Sequence, residues 1–593
     1  MLTTSSQYQS AVVAGTRQST ANIIFGVYDV TAKDDATPSA NTSQPFTDPD
    51  QVNNPVTVPQ FNAATFEDDY FRLDGSFVLM PDDVSTLDNL GWWSEVQSDD
   101  TGVFTPLVPV MTIDFVSPHE SLGIVLTFDQ SGKSFCTKFT ISWYDGVTLL
   151  DTDVVIDNDK LTYVSETPVS GYDKVVIEFF ETDEPYRYAR LLSVDYGIQQ
   201  EYDGDTIVEA SVLEEVDPSL NLISINKLKF TVLNEDQKLN PLNPEGIFQF
   251  LQARQPIVAK SGLAIAPNSF EYVDMGTFYL SDWGNVSGIT ATLEATDAIG
   301  VLDRTTYYSS PFWVDEPLAN VLDHIITDAS DFSYSIDASL LSEVVNGYIP
   351  VKSHREALQD LARAVGAVVN VNRLGVIEFT VVQYATSVWD VDFDTILGLP
   401  KPKQQQLISS VDVEEIEYNL QSSQTIHEST YDYTGQQEII INYDQVPAIN
   451  ISVAVVGAAV VDTQANSATS SILKITGSGA FTLTITGQPY EAVSKVFRTT
   501  LGTLPVGEIP QVATVDVNYL IAKQGLALVV GQTALDYYQR RILQRFEYFD
   551  NPALQAGDCI LLSDMFGNTS KTVIESQDIT FAPRLIGTLE VVG

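Results

Sequence analysis

The chain has 593 residues, 79 of them acidic and 30 basic, for a formal net charge of −49. Its apolar and aromatic content is that of a globular protein, with room for about three to five domains. So acidic a balance argues against a nucleic-acid-binding surface, which needs clustered Lys and Arg, and against docking on an anionic membrane.

Cys136 and Cys559 each lie inside an apolar, strand-like run and read as buried thiols. His119, His324, His354 and His427 show no metal-ligand spacing to one another or to the cysteines, so no metal site is expected. The polar N-terminus lacks the apolar core of a signal peptide, and no apolar run reaches membrane-spanning length. Synthesis in the cytoplasm without Sec-type export is the expectation.

In chain order, residues 21–30 read as one strand with nothing nearby to pair with; such a strand joins a sheet formed later. Residues 33–62 are rich in Asp, Thr, Ser, Pro and Asn and read as a linker, so 1–62 form an N-terminal strand and linker. Residues 63–200 form a β-module. It opens with 64–67, 71–76 and Gly91-Trp92-Trp93-Ser94, and continues with strands over 111–115, 123–128, 138–144, 174–179 and 190–196. Turn signals such as Ser131-Gly132 and Asp145-Gly146 separate them, the pattern of a β-sandwich or jelly roll. Trp92 and Trp93 carry two readings, as platforms for sugar rings or as core and rim packing. The "LDGS … GWWS" opening, the strand through Gly123-Ile124-Val125-Leu126 and the closing "PYRYARLLSVDYGI" with Arg190-Leu191-Leu192 resemble the discoidin (coagulation factor 5/8 type C) jelly rolls. Binding loops in that family vary, so the resemblance assigns no ligand residue.

Residues 201–310 read as a first β-barrel, with alternating strands at 208–212, 227–232, 276–281 and 289–297. Its loop over 233–246 is dense in Asn, Asp and Pro but lacks the alternating carboxylates of a calcium loop. Residues 311–385 form a helical α/β segment. One helix follows Asp315-Glu316-Pro317 with Leu318, Val321, Leu322 and Ile325 on one face; a second opens with the capping box Ser353-His354-Arg355-Glu356 and ends at Gly366. His354 reads as a surface cap. A hairpin over 368–371 and 376–381 follows. Residues 386–593 form a second β-barrel with a β-insertion at about 444–510. Within it, Leu526, Val529, Val530, Ala534, Tyr537 and Tyr538 mark one face of a helix, with Arg540 and Arg545 in its last turns and a buried strand at 559–562. The expected fold class is mainly β with minor α/β: a multi-domain chain of hub-type β-barrels, a jelly-roll sandwich and a short helical segment.

The chain has no G-x-S-x-G, P-loop, H-E-x-x-H or paired Cys and His, so no catalytic, cofactor-binding or metal residue is assigned and no enzyme is expected. What it does carry is a series of segments spread over its length. They are "FGVYDV" at 25–30, "AATFEDDYFRLDGS" at 63–76, "GWWSEVQSDDTGVF" at 91–104, "NEDQKLNPLNPEGIFQFLQARQPI" at 234–257, "DMGTFYLSDW" at 274–283, "LEATDAIGVL" at 293–302 and "YYQRRILQRFEYFDNPALQAGDCI" at 537–560.

These segments resemble the baseplate or tail-tip hub proteins of phages and prophages of Gram-positive bacteria. The resemblance implies a structural protein of the virion tail, a homo-oligomer (usually a trimer) that closes the tail tube. Its implied partners are a distal tail or tube protein, a tape-measure protein and fibre or receptor-binding proteins, and DNA passes it without being specifically bound. Many relatives continue into a peptidoglycan hydrolase or fibre where this sequence stops at Gly593. The reading from a different class is a carbohydrate-binding host-attachment adhesin. It would act through the jelly roll, with Trp92 and Trp93 as the contacts to a host cell-wall glycan.

Overall fold

The computed structural model describes residues 1–53, 62–65, 67, 70–71, 77–78, 90–129, 133–243, 246–267, 269–330 and 332–593. Strands dominate. The early strand, Ser19–Tyr28, buries Ala21, Ile23, Phe25 and Val27 by simple alternation. It lies between Gly197–Tyr202 and Pro256–Ala266, antiparallel to both, with Phe25 opposite Gln200 on one side and Ile257 on the other. A strand without local partners is therefore completed from far along the chain.

Around it runs one sheet of 13 strands. Its path goes from Gly197–Tyr202 through Ser19–Tyr28, Pro256–Ala266, Ser269–Ser287, Thr290–Thr296, Lys227–Leu233 and Ile207–Glu215 to Thr569–Ala582, then to Ile586–Val592, Ile542–Tyr548 and Ile396–Gln404. Two cores lie against it. One gathers Phe25, Val212, Phe230, Ile257, Leu293 and Phe581; the other gathers Tyr548, Ile560, Ile574, Leu589 and Val591. The two expected barrels are thus not separate bodies. The 14-residue strand Thr569–Ala582 serves both, giving Ile574 to one core and Ile579 and Phe581 to the other.

The sandwich leaves this sheet at Tyr28 and returns at Gly197, residues directly opposite each other in the ladder. One of its sheets runs Ala36–Ala40, Val110–Ser121, Val169–Thr182, Cys136–Asp145, Thr148–Val155; the other runs Thr162–Ser165, Ile124–Phe128, Tyr188–Asp195, Trp92–Gln97. Residues 33–53, expected as linker, belong to it: Ala36–Ala40 pairs with Val110–Ser121, Pro38 opposite Ile113. Pro38 is tolerated because this strand is an edge. Of the strands expected over 64–67 and 71–76, residues 66 and 72–76 lie outside the described residues, as does the Ser131-Gly132 turn, and residues 64, 65, 67 and 71 are not in strands.

The helical segment forms as its local signals require. Ser353 Oγ accepts from Glu356 N at 3.2 Å while Glu356 Oε2 accepts from Ser353 N at 3.1 Å, and Gly366 closes the helix His354–Val365 at φ 68°. The helix Leu526–Tyr538 shares its core, with a correction to the buried face. Ala527, Val530, Gly531, Ala534 and Leu535 point inward, whereas Val529 is 58% exposed. A Cβ on Gly531 would stand 2.6 Å from Thr499 Oγ1, so the helix approaches the sheet through its small residues rather than its bulky ones. It ends at Tyr538, leaving Arg540 beyond it and Arg545 in the strand Ile542–Tyr548.

The β-insertion begins earlier than expected. Ser470–Thr500 is flanked by Gln424–Asn442 on one side and Ala448–Asn466 on the other. This three-stranded ribbon folds back on itself. Asn442 pairs with Ser470, yet the next two amides, Tyr443 N and Asp444 N, donate to Thr469 O and to Ile426 O, so both ends of one strand meet. The bend falls at Gly435, Gly457 and Gly479, with φ of 119°, 127° and 145°, and it encloses Ile426, Leu473, Ile475, Phe481, Leu483 and Ile485. A side chain on Gly457 would begin 2.7 Å from Ala480 O. Gly457→Val is therefore expected to destabilise this module by about 1–3 kcal/mol. A calorimetric trace with an unchanged midpoint would show that the glycines do not set the bend.

Candidate functional site

The densest buried polar chemistry lies where the main sheet, the helical segment and the N-terminus meet. Arg373 sits in the hairpin turn between Val368–Val371 and Ile377–Thr380. Asn372 Oδ1 shapes that turn by accepting from Leu374 N at 2.9 Å and Val376 N at 3.1 Å. The guanidinium donates from Nε to Glu214 Oε1 at 2.6 Å and from Nη2 to Glu214 Oε2 at 3.1 Å. It also donates to Asp274 O at 3.1 Å, to Leu554 O at 2.6 Å and to Pro552 O. Both charged side chains are buried. Gln577 bonds Glu214 and donates to Leu554 O at 2.9 Å.

Next to this pair, Tyr548 Oη donates to Asp550 Oδ1 at 2.6 Å, and Arg17 donates to Asp550 O at 2.8 Å and Leu585 O at 3.2 Å. Burial pushes the Asp550 carboxyl up to about 6, against the pull of the Tyr548 hydroxyl and of Arg373 and Arg17. The terminal ammonium of Met1 reaches Asp558 Oδ1 at 2.7 Å. A second buried carboxylate, Asp297, caps the short helix Ala298–Leu302, accepting from Asn226 N at 2.9 Å and Gly300 N at 3.1 Å. Burial drives it up to about 7 in spite of those donors. All of these groups join elements. Among the described residues no cluster of three or more His, Cys, Asp or Glu is placed to hold a metal ion.

Of the two readings of Trp92 and Trp93, sugar platform or packing, the burial of both rings favours packing. Trp92 is 0% and Trp93 4% exposed. Trp92 Nε1 donates to Thr42 O at 3.0 Å, and its ring lies 5.5 Å from that of Phe179. Trp93 Nε1 donates to Leu90 O at 3.1 Å. The Arg190 guanidinium stands 3.8 Å from the Trp93 ring and 3.8 Å from that of Tyr70, bonded to Glu67 and, at 2.9 Å, to Asp129. Alternation alone would turn one of two neighbouring tryptophans outward. Here the second face is covered by residues 42–47 and by Arg190, so both are packing residues. His354 is likewise not a surface cap: its ring is buried beside Tyr307, with Nε2 2.9 Å from Asp328 Oδ2.

A cleft of about 440 Å³ opens beside the helix Leu526–Tyr538, with residues of the helical segment on its other wall. Leu220, Val368, Val381, Asp536 and Arg540 line it, and Arg540 lies 3.5 Å over the Tyr384 ring. Sequence reading assigned no role to Arg373, Glu214, Asp297 or Asp550. A usable signal existed for Glu214, which continues the inward row of Ala210 and Val212.

Neither a protein-family model nor a curated protein sequence matches the chain. Among solved structures, the 43 kDa tail protein of prophage MuSo2 from Shewanella oneidensis is similar at 10% identity and TM-score 0.38, over 66% of this chain and 95% of that one. The tail protein from Neisseria meningitidis MC58 is similar at 8% identity and TM-score 0.39, over 66% and 94%. The family 32 carbohydrate-binding module of Clostridium perfringens NanJ, solved with galactose, gives 13% identity and TM-score 0.19 over 30% of this chain and 99% of that one. Likenesses this distant do not establish a shared activity.

Arg373→Met strips Glu214 of its buried partner and should lower the free energy of unfolding by about 3–5 kcal/mol. Removing the exposed pair by Lys229→Met should leave the denaturant midpoint unchanged. Asp297 gives a pH signature. Between the ordinary carboxylate range and about 7, the folded chain holds a proton that the unfolded chain has lost. Its contribution to stability is therefore present at low pH and falls as pH rises through that window. The Tm advantage of the wild type over Asp297→Asn should shrink from pH 4 to pH 7 and stay level above it. A pH-independent difference would mean that Asp297 is ionised when folded.

Proposed function

We propose that the chain is a structural tail protein, the baseplate or tail-tip hub that closes the tail tube of a phage or tail-like particle. In this reading it is a trimer that anchors peripheral tail proteins and lets the genome pass at ejection. The observation that carries the reading is where the hub-like sequence segments fall. The segment at 537–560 supplies Tyr548, Asp550, Pro552 and Leu554, that at 274–283 supplies Asp274, that at 293–302 supplies Asp297, and that at 25–30 overlaps the end of the early strand. Three of the segments that carry the resemblance thus supply groups that join the scaffold's elements, accepting bonds from Arg373 and Arg17 or capping a helix.

The continuous sheet supports the same reading, because a ring under load needs a body whose parts do not move against one another. The sandwich and the folded-back ribbon are appendages to that body, suited to meeting neighbours. A net charge of −49 per copy repels a polyanion, so an acidic passage would let DNA slide without binding. The glycan-adhesin reading is not favoured, since the two rings it relied on are buried.

Light scattering of the purified chain, followed by imaging down the symmetry axis, tests the proposal. A closed three-copy ring that does not retard duplex DNA at low salt is expected. A chain that stays monomeric both alone and in the presence of tail tubes would overturn it.

A further inference from the structure

The folded-back ribbon has two outer strands of unlike chemistry. Gln424–Asn442 carries His427, Glu428, Asp432 and Glu438, the kind of charges with which natural sheets discourage edge pairing. Ala448–Asn466 carries none before Asp462. From Gln445 to Val461 no residue is charged, in a chain with 79 acidic and 30 basic residues. Among the described residues its ladder is with Ser470–Thr500 alone; on the other edge Ala448 N donates to Ala468 O at 2.8 Å, and past Ala448 that edge carries no ladder.

Its side chains fit a covered position. Ile451, Val453, Val455 and Val461 turn toward the ribbon's core but are only half-buried there. On the opposite row Val456 and Val460 are 75% and 72% exposed. An open edge of alternating β-branched residues, without charge and without proline past Pro447, is the pattern that associates when left bare.

We infer that this edge is an interface between copies of the chain, with Ala448–Asn466 of one copy covered by a second copy. Charge selects the occupant. Two copies at −49 each repel wherever their carboxylates face one another, and this run lets them approach with no like charges in contact. A basic partner strand would find no carboxylate here and would be drawn to the acidic surface elsewhere. Pairing gives the open backbone groups their partners and completes burial of the half-buried row. The inference does not rest on the hub reading, since a hub could assemble through its main sheet alone.

The experiment is light scattering of the full chain over a range of concentrations. It is repeated for the double variant Val456→Asp, Val460→Asp and for a control, Val154→Asp, Ile156→Asp, at exposed positions on the sandwich's edge. The wild type and the control are expected at a multiple of 65.1 kDa and the double variant at 65.1 kDa itself, with an unchanged circular dichroism spectrum. Hydrogen exchange on the wild type needs no variant: amides of 448–461 should gain protection as concentration rises. A wild type that is monomeric throughout, a double variant that keeps the wild-type mass, or exchange independent of concentration would each overturn the inference. The second of these outcomes leaves assembly through other surfaces standing.

Discussion

A charge buried away from water must be matched where it lies, and Arg373 is where this chain meets that constraint most fully. Its partners are 99 to 181 residues away in sequence and belong to different strands and loops of the main sheet. The planar guanidinium presents donors in fixed directions, so accepting all of these bonds fixes where the hairpin stands against the sheet. Lysine could not do this, having a single rotating ammonium. Arg17 repeats the device from the N-terminal side, bonding carbonyls at Asp550 and Leu585. Backbone carbonyls meeting two arginines thus add directional bonds to the apolar cores that hold the scaffold.

A second regularity concerns how modules are added. The sandwich begins after Tyr28 and ends before Gly197, which face each other in the main sheet. The folded-back ribbon begins after Leu420 and ends before Tyr490, which also face each other. In both cases the parent ladder closes beneath the insertion as if it were a hairpin turn. Large modules can therefore be carried without interrupting the sheet that holds both cores.

The charge distribution follows the same division. Among the described residues six carboxylates are buried: Glu214 paired with Arg373, Glu67 and Asp129 with Arg190, Asp360 with Lys352, Asp297 as a cap and Asp550 with Tyr548. The other described carboxylates are half-buried or exposed. The uncharged run from Gln445 to Val461 lies on an edge of the folded-back ribbon.

Features set by neighbours in sequence were legible in the sequence. The capping box at Ser353 and Glu356, the stop at Gly366, the alternation of Ser19–Tyr28 and the sandwich strands all arise from residues a few positions apart. Features set by distant neighbours were not. Which row of the helix Leu526–Tyr538 is buried depends on how closely Gly531 approaches Thr499. Whether Trp92 and Trp93 face solvent depends on residues 42–47 and on Arg190, which stand more than 140 positions apart in the chain. The joining of two barrels into one sheet depends on Thr569–Ala582 finding Ile207–Glu215. Local propensity decides what each segment can be. The burial of a charge or a ring is decided only when segments far apart in the chain come together, because only then is water removed from it.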